Sequence, residues 1–305
     1  MVILPFIFML SGLAQGESQP SPAQPTTIDA ALVEQCVQSL KAMPGKTDEN
    51  DLKTACEQVK VEDGCVSAQG TKIFYFEKKG TNKNPKKIFA KALIHGDETT
   101  AGVVARAWLI RLAKIDPRNT WRVIPIANPD GLKAHTRYNA NGVDLNRNFP
   151  SGNWETEALA YWKKNARSDK RRYPGPQAAS EVETRCLMKQ FDDFKPDFII
   201  SIHTPLGVLD LDGPKMSPPS FKPLPWQSLG NFPGSLGRYM WKDRNTPVLT
   251  IELKPDQSVT SLDQFDKLQD IAGTIAIQAD QLKPKKPATE KKQAASSTSE
   301  SAANN

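Results

Sequence analysis

Histidine is scarce in this chain: there are three, His95, His135 and His203, in 305 residues. Long apolar runs are missing too. Met1–Ala14 (MVILPFIFMLSGLA) falls short of the roughly 20 residues a bilayer-spanning helix needs, and no other segment is long and apolar enough to span. Small residues at Ala14 and Gly16 and the polar, Pro-rich run behind them (GESQPSPAQPTT) give the start the form of a secretory signal peptide over 1–16 and a linker over 17–27. The basic residues that usually open such a signal are absent. Short zinc spacings of the Cys-x-x-Cys kind are absent as well, so the four cysteines (Cys36, Cys56, Cys65 and Cys186) are not a thiolate zinc site. In an exported chain an even count implies disulfides instead.

Charge of one sign is not concentrated in the globular part. The tail over 283–305 holds five lysines against two glutamates, so half of the net +6 lies there. It reads as a disordered, low-complexity basic tail. The remaining core is only mildly basic, which argues against a nucleic-acid partner.

What is present is an alternating pattern. Residues 28–62 read as a small helical element. Cys36 and Cys56 fall on two short helical stretches (TIDAALVEQCVQSLKAM and DENDLKTACEQV) that one bridge can staple into a hairpin. Cys65 would then pair with Cys186, although the sequence alone permits three pairings. Strand-like segments follow at Thr71–Phe76, Lys87–Ile94, Thr120–Ile126, Asp197–Ile202 and Pro247–Leu253. Amphipathic stretches lie between or after them at Thr99–Lys114, Ala178–Phe194 and Ser261–Leu282. This alternation predicts an α/β domain over 63–282, with a mixed, mostly parallel, twisted sheet flanked by helices. Ligands of such folds collect beyond the carboxyl ends of strands, where His95, Asn128, His203 and Glu252 all lie.

His95 ends one apolar run (KKIFAKALIHGDE) and His203 ends another (DFIISIHTP). Glu98 follows His95 by three residues, a spacing that returns its carboxylate toward the ring better than that of Asp97. Two imidazoles and one carboxylate are the ligand set of a catalytic zinc with one open position. Glu252 closes a third apolar strand (TPVLTIELKP), where a carboxylate is costly unless it is paired or used. Near a metal it can serve as general base. Between these positions run AsnProAspGly at 128–131 and ArgTyrAsnAlaAsnGlyValAspLeuAsnArgAsnPhePro at 137–150. Asn146 with Arg147 offers a forked donor set for a carboxylate, and Arg137 a second cation. Asp144 reads as an anchor of this loop.

In this order, HisGlyAspGlu, AsnProAspGly, GlyValAspLeuAsnArgAsnPhePro, SerIleHis and ThrIleGluLeu resemble the zinc metallocarboxypeptidase family over about Val66 to Leu282. The similarity is greatest to the bacterial branch that trims peptidoglycan peptides, the murein tripeptide amidases, which the segment PGSLG over Pro233–Gly237 also resembles. The resemblance implies one zinc ion held by His95, Glu98 and His203, with Glu252 as general base. Arg137 would stabilise the oxyanion, and Asn146 and Arg147 would grip the substrate's terminal carboxylate. Tyr239 is the one tyrosine between His203 and Glu252, but its context (GRYMWKD) does not match the family's mobile tyrosine, so packing is its expected role. The branch implies hydrolysis of the γ-D-glutamyl–meso-diaminopimelate bond of peptidoglycan stem peptides. Combined with the signal peptide it implies a periplasmic monomer without membrane insertion after cleavage. Three readings compete with this: a general zinc carboxypeptidase on ordinary peptides, a deacylase of N-acyl amino acids like aspartoacylase and the desuccinylases, and a wall-binding module without catalysis. The loop wording opposes the deacylase, and the full ligand set with Glu252 opposes the inactive module.

Overall fold

The computed structural model describes residues 29–255 and 262–282. The expected signal peptide, the linker and the basic tail lie outside the described residues. The chain opens with helices α1 (Ala30–Lys41) and α2 (Glu49–Cys56), each started by an aspartate. Asp29 accepts from the backbone amides of Ala31 and Leu32, and Asp48 from those of Asn50 and Asp51, satisfying donors that a helix start leaves open. The rest follows as β1 (Lys60–Val66), β2 (Lys72–Lys78), β3 (Lys87–Lys91), α3 (Thr99–Lys114), β4 (Thr120–Ile124), α4 (Pro129–Ala134), α5 (Trp154–Lys164), α6 (Val182–Phe194), β5 (Phe198–His203), β6 (Val208–Asp212), β7 (Val248–Glu252) and α7 (Leu262–Leu282).

The seven strands form one sheet in the order β1-β2-β4-β3-β5-β7-β6. The central four, β4, β3, β5 and β7, run parallel. The antiparallel strands β2 and β1 extend one edge, and β6 extends the other. The fold is thus the expected mixed sheet between helices, but it is not mostly parallel: three of the six strand pairings are parallel, all at the centre, and the three toward the edges are antiparallel. Of the two edge strands absent from the sequence reading, β1 has intermediate or exposed residues at all of its first five positions, and β6 mixes Asp210 and Asp212 with leucines. Neither carries the apolar run that marks a buried strand.

Side chains alternate across the sheet with the period of two that strands impose. Phe74, Phe76, Ile88, Ala90, Phe198 and Ile200 join a core with α1, α2, α3 and α7. Ile73, Tyr75, Phe89 and Ile199 face the other way, toward Leu187, Phe191 and Phe194 of α6. The disulfides are Cys36–Cys56 and Cys65–Cys186. The first staples α1 to α2 and the second ties edge strand β1 to α6. With sequence separations of 20 and 121, loop closure makes them worth roughly 3 and 5 kcal/mol. Arg106 on α3 donates to the backbone oxygens of Leu40, Met43 and Pro44 at the carboxyl end of α1, where a helix leaves carbonyls without intrahelical partners. The hairpin is therefore part of the main core.

A candidate active site at the carboxyl rim of the sheet

Four parallel strands deliver their carboxyl ends to one rim, and the polar motifs meet there. The strand expected over Lys87–Ile94 stops at Lys91. Leu93 takes a left-handed conformation (φ 49°), uncommon for a residue with a side chain, and the chain turns through His95 to Glu98. Glu98 sits at the N-cap position of α3 but makes no capping bond, because its carboxylate is turned to the histidines. Gly96 is required at this turn, since a Cβ there would lie 2.0 Å from the carbonyl carbon of Gly131. The close approach locks the HisGlyAspGlu turn onto α4, which Asn128 caps through the amide of Gly131 at 2.9 Å.

The Nδ1 atoms of His95 and His203 lie 3.2 Å apart. Glu98 bridges them, with Oε1 2.7 Å from His95 Nδ1 and Oε2 2.9 Å from His203 Nδ1. All three residues are buried, and among the described residues they form the one His/Cys/Asp/Glu group whose ligand atoms lie within 4.8 Å of one another. The far nitrogens are fixed as well. His95 Nε2 lies 3.1 Å from Asp144 Oδ1, a carboxylate that can accept the ring proton on Nε2 and so free Nδ1, on the cluster side, for a metal. His203 Nε2 lies 2.7 Å from Ser201 Oγ. This is the outer support that metal-binding imidazoles have. Burial, with Lys91 adding to it, pushes His203 down to about 3 and keeps it neutral, the form that ligates metal. Burial opposes the charge of Glu98, but the two imidazoles outweigh it and hold the carboxylate well below its ordinary range. Two imidazole nitrogens and one carboxylate oxygen, oriented and buried, fit zinc.

The other expected residues surround this cluster. Glu252 is the register partner of His203 on the neighbouring strand, and its Oε2 accepts from the amide of Leu206 at 3.3 Å. Burial, then the nearby Glu98, raise it to about 7. Arg137 donates to Asp144 Oδ2 through Nε and Nη2, both at 3.0 Å, while its Nη1 lies 3.6 Å from Glu98 Oε1. Asn146 accepts the amide of Leu236 in the PGSLG segment at 3.0 Å. Arg147 donates to the backbone oxygen of Asn146 at 2.7 Å and lies over the ring of Phe232, 4.6 Å from its centroid. His95, Glu98, His203, Arg137, Asn146, Arg147 and Glu252 all line one cavity of about 300 Å³.

Several residues fall elsewhere or were not expected. Asp97 pairs with Arg171 at 2.7 Å, outside the cluster. Tyr239 is buried against Phe149, ring centroids 5.7 Å apart, and does not line the cavity. His135 is exposed and ends α4 in a left-handed conformation (φ 53°). Asp144 anchors its loop by accepting the amide of Asn146, as expected, but it also orients His95 and Arg137. Asn139 and Asn148 are buried scaffold: Asn139 donates to Glu181 and Glu183, and Asn148 to Pro174 O, Gln177 O and Ser180 Oγ. Lys91, fully buried with Nζ 3.4 Å from His203 Nε2, was signalled only by a lysine inside an apolar strand. Ser201, Asp210 and Asp212 carried no recognisable motif.

Residues 50–209 match the sequence pattern of the zinc carboxypeptidases, peptidase family M14. The chain belongs to that family. It is accordingly a zinc peptide hydrolase. Among relatives, it is 30% identical over 206 residues to murein peptide amidase A of Escherichia coli strain K12, covering 65% of this chain and 83% of the relative. The fold matches the crystal structure of murein-tripeptide amidase from E. coli O157 with a TM-score of 0.50 at 24% identity, over 82% of this chain and 97% of that one. It also matches carboxypeptidase A from Helicoverpa armigera with a TM-score of 0.52 at 16% identity, over 82% and 79% of the two chains.

Proposed function

We propose that this zinc carboxypeptidase removes diaminopimelate from peptidoglycan stem peptides by hydrolysing the γ-D-glutamyl–meso-diaminopimelate bond, and that it does so in the periplasm as a monomer. One zinc ion would be held by His95, Glu98 and His203. When bound, zinc supplies Lewis acidity, which makes water acidic enough to lose a proton near neutral pH. The carboxylate of Glu252 takes that proton and passes it to the leaving amine. The Arg137 guanidinium faces the same space and stabilises the oxyanion as the carbonyl is attacked. Asn146 and Arg147 hold the carboxylate of the departing residue and so limit cleavage to the chain end.

One observation carries this reading. The buried His95, Glu98 and His203 cluster, the Glu252 carboxylate and the guanidinium groups of Arg137 and Arg147 share a cavity of about 300 Å³, room for one terminal residue and the bond before it. The murein substrate is supported by the likeness to proteins named murein peptide amidase A, and the periplasm by the signal-like start of the sequence. The test is to offer zinc-loaded enzyme the tripeptide L-Ala-γ-D-Glu-meso-diaminopimelate, an ordinary α-linked peptide and an N-acyl amino acid. Release of diaminopimelate from the first at far higher kcat/KM supports the reading. Faster turnover of either of the others refutes it. Mass spectrometry of digested sacculi then shows whether stem peptides still joined to glycan are cut.

A further inference from the structure

The wall of the cavity away from the triad is formed by edge strand β6. Asp210 and Asp212 are two residues apart on this strand and share a face, and both line the cavity. The leucines that alternate with them, Leu209 and Leu211, pack against the core instead. Asp210 is 7% exposed. Each acid is held in place: the amide of Leu229 donates to Asp210 Oδ2 at 3.1 Å, and Asn231 Nδ2 donates to Asp212 Oδ1. The PGSLG segment leaves room for them. A Cβ at Gly237 would lie 1.8 Å from Asp212 Oδ2, so any larger residue there would displace the carboxylate.

Neither acid forms an ion pair with a lysine or arginine among the described residues; Lys242 acts on Asp212 only through space. Uncompensated carboxylates in a partly closed cavity are costly. Burial raises both, and Asp210 adds its repulsion to lift Asp212 to about 6. Folding alone gives no reason to keep two such acids side by side. A cationic group in the cavity would.

The position of the substrate says which group that is. With the terminal carboxylate at Asn146 and Arg147 and the scissile carbonyl at the triad, the side chain of the last residue occupies what remains of the cavity, beside Thr250, Asp210, Asp212 and Gly237. We propose that Asp210 and Asp212 bind a side-chain ammonium of the substrate's terminal residue and select it over neutral or purely acidic side chains. In meso-diaminopimelate that ammonium is the one on the far stereocentre. The inference rests on the carboxypeptidase reading above, but it makes a separate statement about which terminal residues are accepted.

The test uses zinc-loaded enzyme and L-Ala-γ-D-Glu-X tripeptides, with X as meso-diaminopimelate, lysine, 2-aminopimelate or norleucine. Diaminopimelate and lysine carry the ammonium; 2-aminopimelate carries only the far carboxylate, and norleucine neither. The expected result is kcat/KM at least about tenfold higher for lysine than for norleucine, as a charge-assisted hydrogen bond implies, with 2-aminopimelate lowest. In Asp210→Asn/Asp212→Asn, near-isosteric and checked for folding by thermal melting, the lysine-to-norleucine ratio falls toward one. An unchanged ratio in that folded variant, or equal turnover of lysine and norleucine by the wild type, overturns the proposal. If no tripeptide is cleaved, the carboxypeptidase substrate is wrong, and the wall is judged by calorimetry instead. Glu252→Gln enzyme is then titrated with the lysine and norleucine peptides, and equal affinities overturn the proposal.

Discussion

The two ends of the cavity treat buried charge in opposite ways. At the triad the charges are interlocked: Glu98 lies between two imidazoles, Asp144 accepts from His95 and from Arg137, and Arg137 also faces Glu98, while Glu252 beside them accepts only from the Leu206 amide. At β6, two carboxylates stand together and only neutral donors reach them. The first arrangement is complete enough to fold around, and a metal replaces contacts already in place. The second is incomplete until a ligand arrives. In this protein, the balance of charge separates the part that performs hydrolysis from the part that chooses what is hydrolysed.

The largest effects are expected where the compensated end is broken. Glu252→Gln should lower kcat/KM by about 10²–10⁴-fold while zinc content, measured on the purified protein, stays at one ion per chain. His203→Ala should lose both zinc and activity, and dialysis against a chelator should reproduce this in the wild type until zinc is restored. A Glu252→Gln protein that hydrolyses at the wild-type rate would remove Glu252 from the chemistry. Next in size, Arg147→Ala leaves a substrate carboxylate without its charged donor, a loss of about 2 kcal/mol or roughly 30-fold in kcat/KM, seen mainly as a raised KM. A change confined to kcat would assign Arg147 another role.

Smaller still is the effect of loosening an outer support. Asp144→Asn cannot hold the His95 proton on Nε2 as a carboxylate does, and zinc affinity in a competitive-chelator titration should weaken by about 10–100-fold. Undiminished affinity would mean that Asp144 serves its loop alone. The smallest effect belongs to β6 and has the opposite sign. Asp212 is raised from 3.8 to about 6, so the folded protein binds more protons there than the unfolded chain between those values. Its stabilising protonated form is therefore lost as pH rises toward 6. The charges facing Asp212 are Asp210, which raises it, and Lys242, which lowers it, while Asn231 donates a neutral hydrogen bond. Asp212→Asn should melt higher than wild type at pH 7–8, with the difference shrinking as pH falls from 6 to 4. A variant that melts lower at pH 8 would show that the acid supports the fold.

Legibility in the sequence followed how local each signal is. The central strands and α3 are apolar runs of the right period, and their ends were found within one to three residues. The strand predicted to Ile94 stops at Lys91 because Leu93 turns left-handed, which composition does not encode. The helix expected from Ala178 starts at Val182, since Ala179 also has positive φ, at 50°. Edge strands β1 and β6 were missed for want of an apolar face, and α5 for want of a clear stripe. Of the site, His95, Glu98, His203, Arg137, Asn146, Arg147 and Glu252 were legible because their chemistry is unusual at the end of an apolar strand or in a polar loop. Ser201 and Lys91 lie inside strands, where a single polar residue has no motif around it.

The sequence by itself determined the alternating α/β pattern, the family and the residue types of the zinc site. Those depend on spacing over a few residues and on side-chain chemistry. Only the tertiary structure decided which nitrogen of each imidazole faces the cluster, which of three cysteine pairings forms, and that two aspartates of an edge strand share a cavity with the triad. Each of these is a relation between segments far apart in the chain. Parallel strands joined by helical crossovers bring their carboxyl ends to one rim, and that packing, rather than any local propensity, sets what faces what.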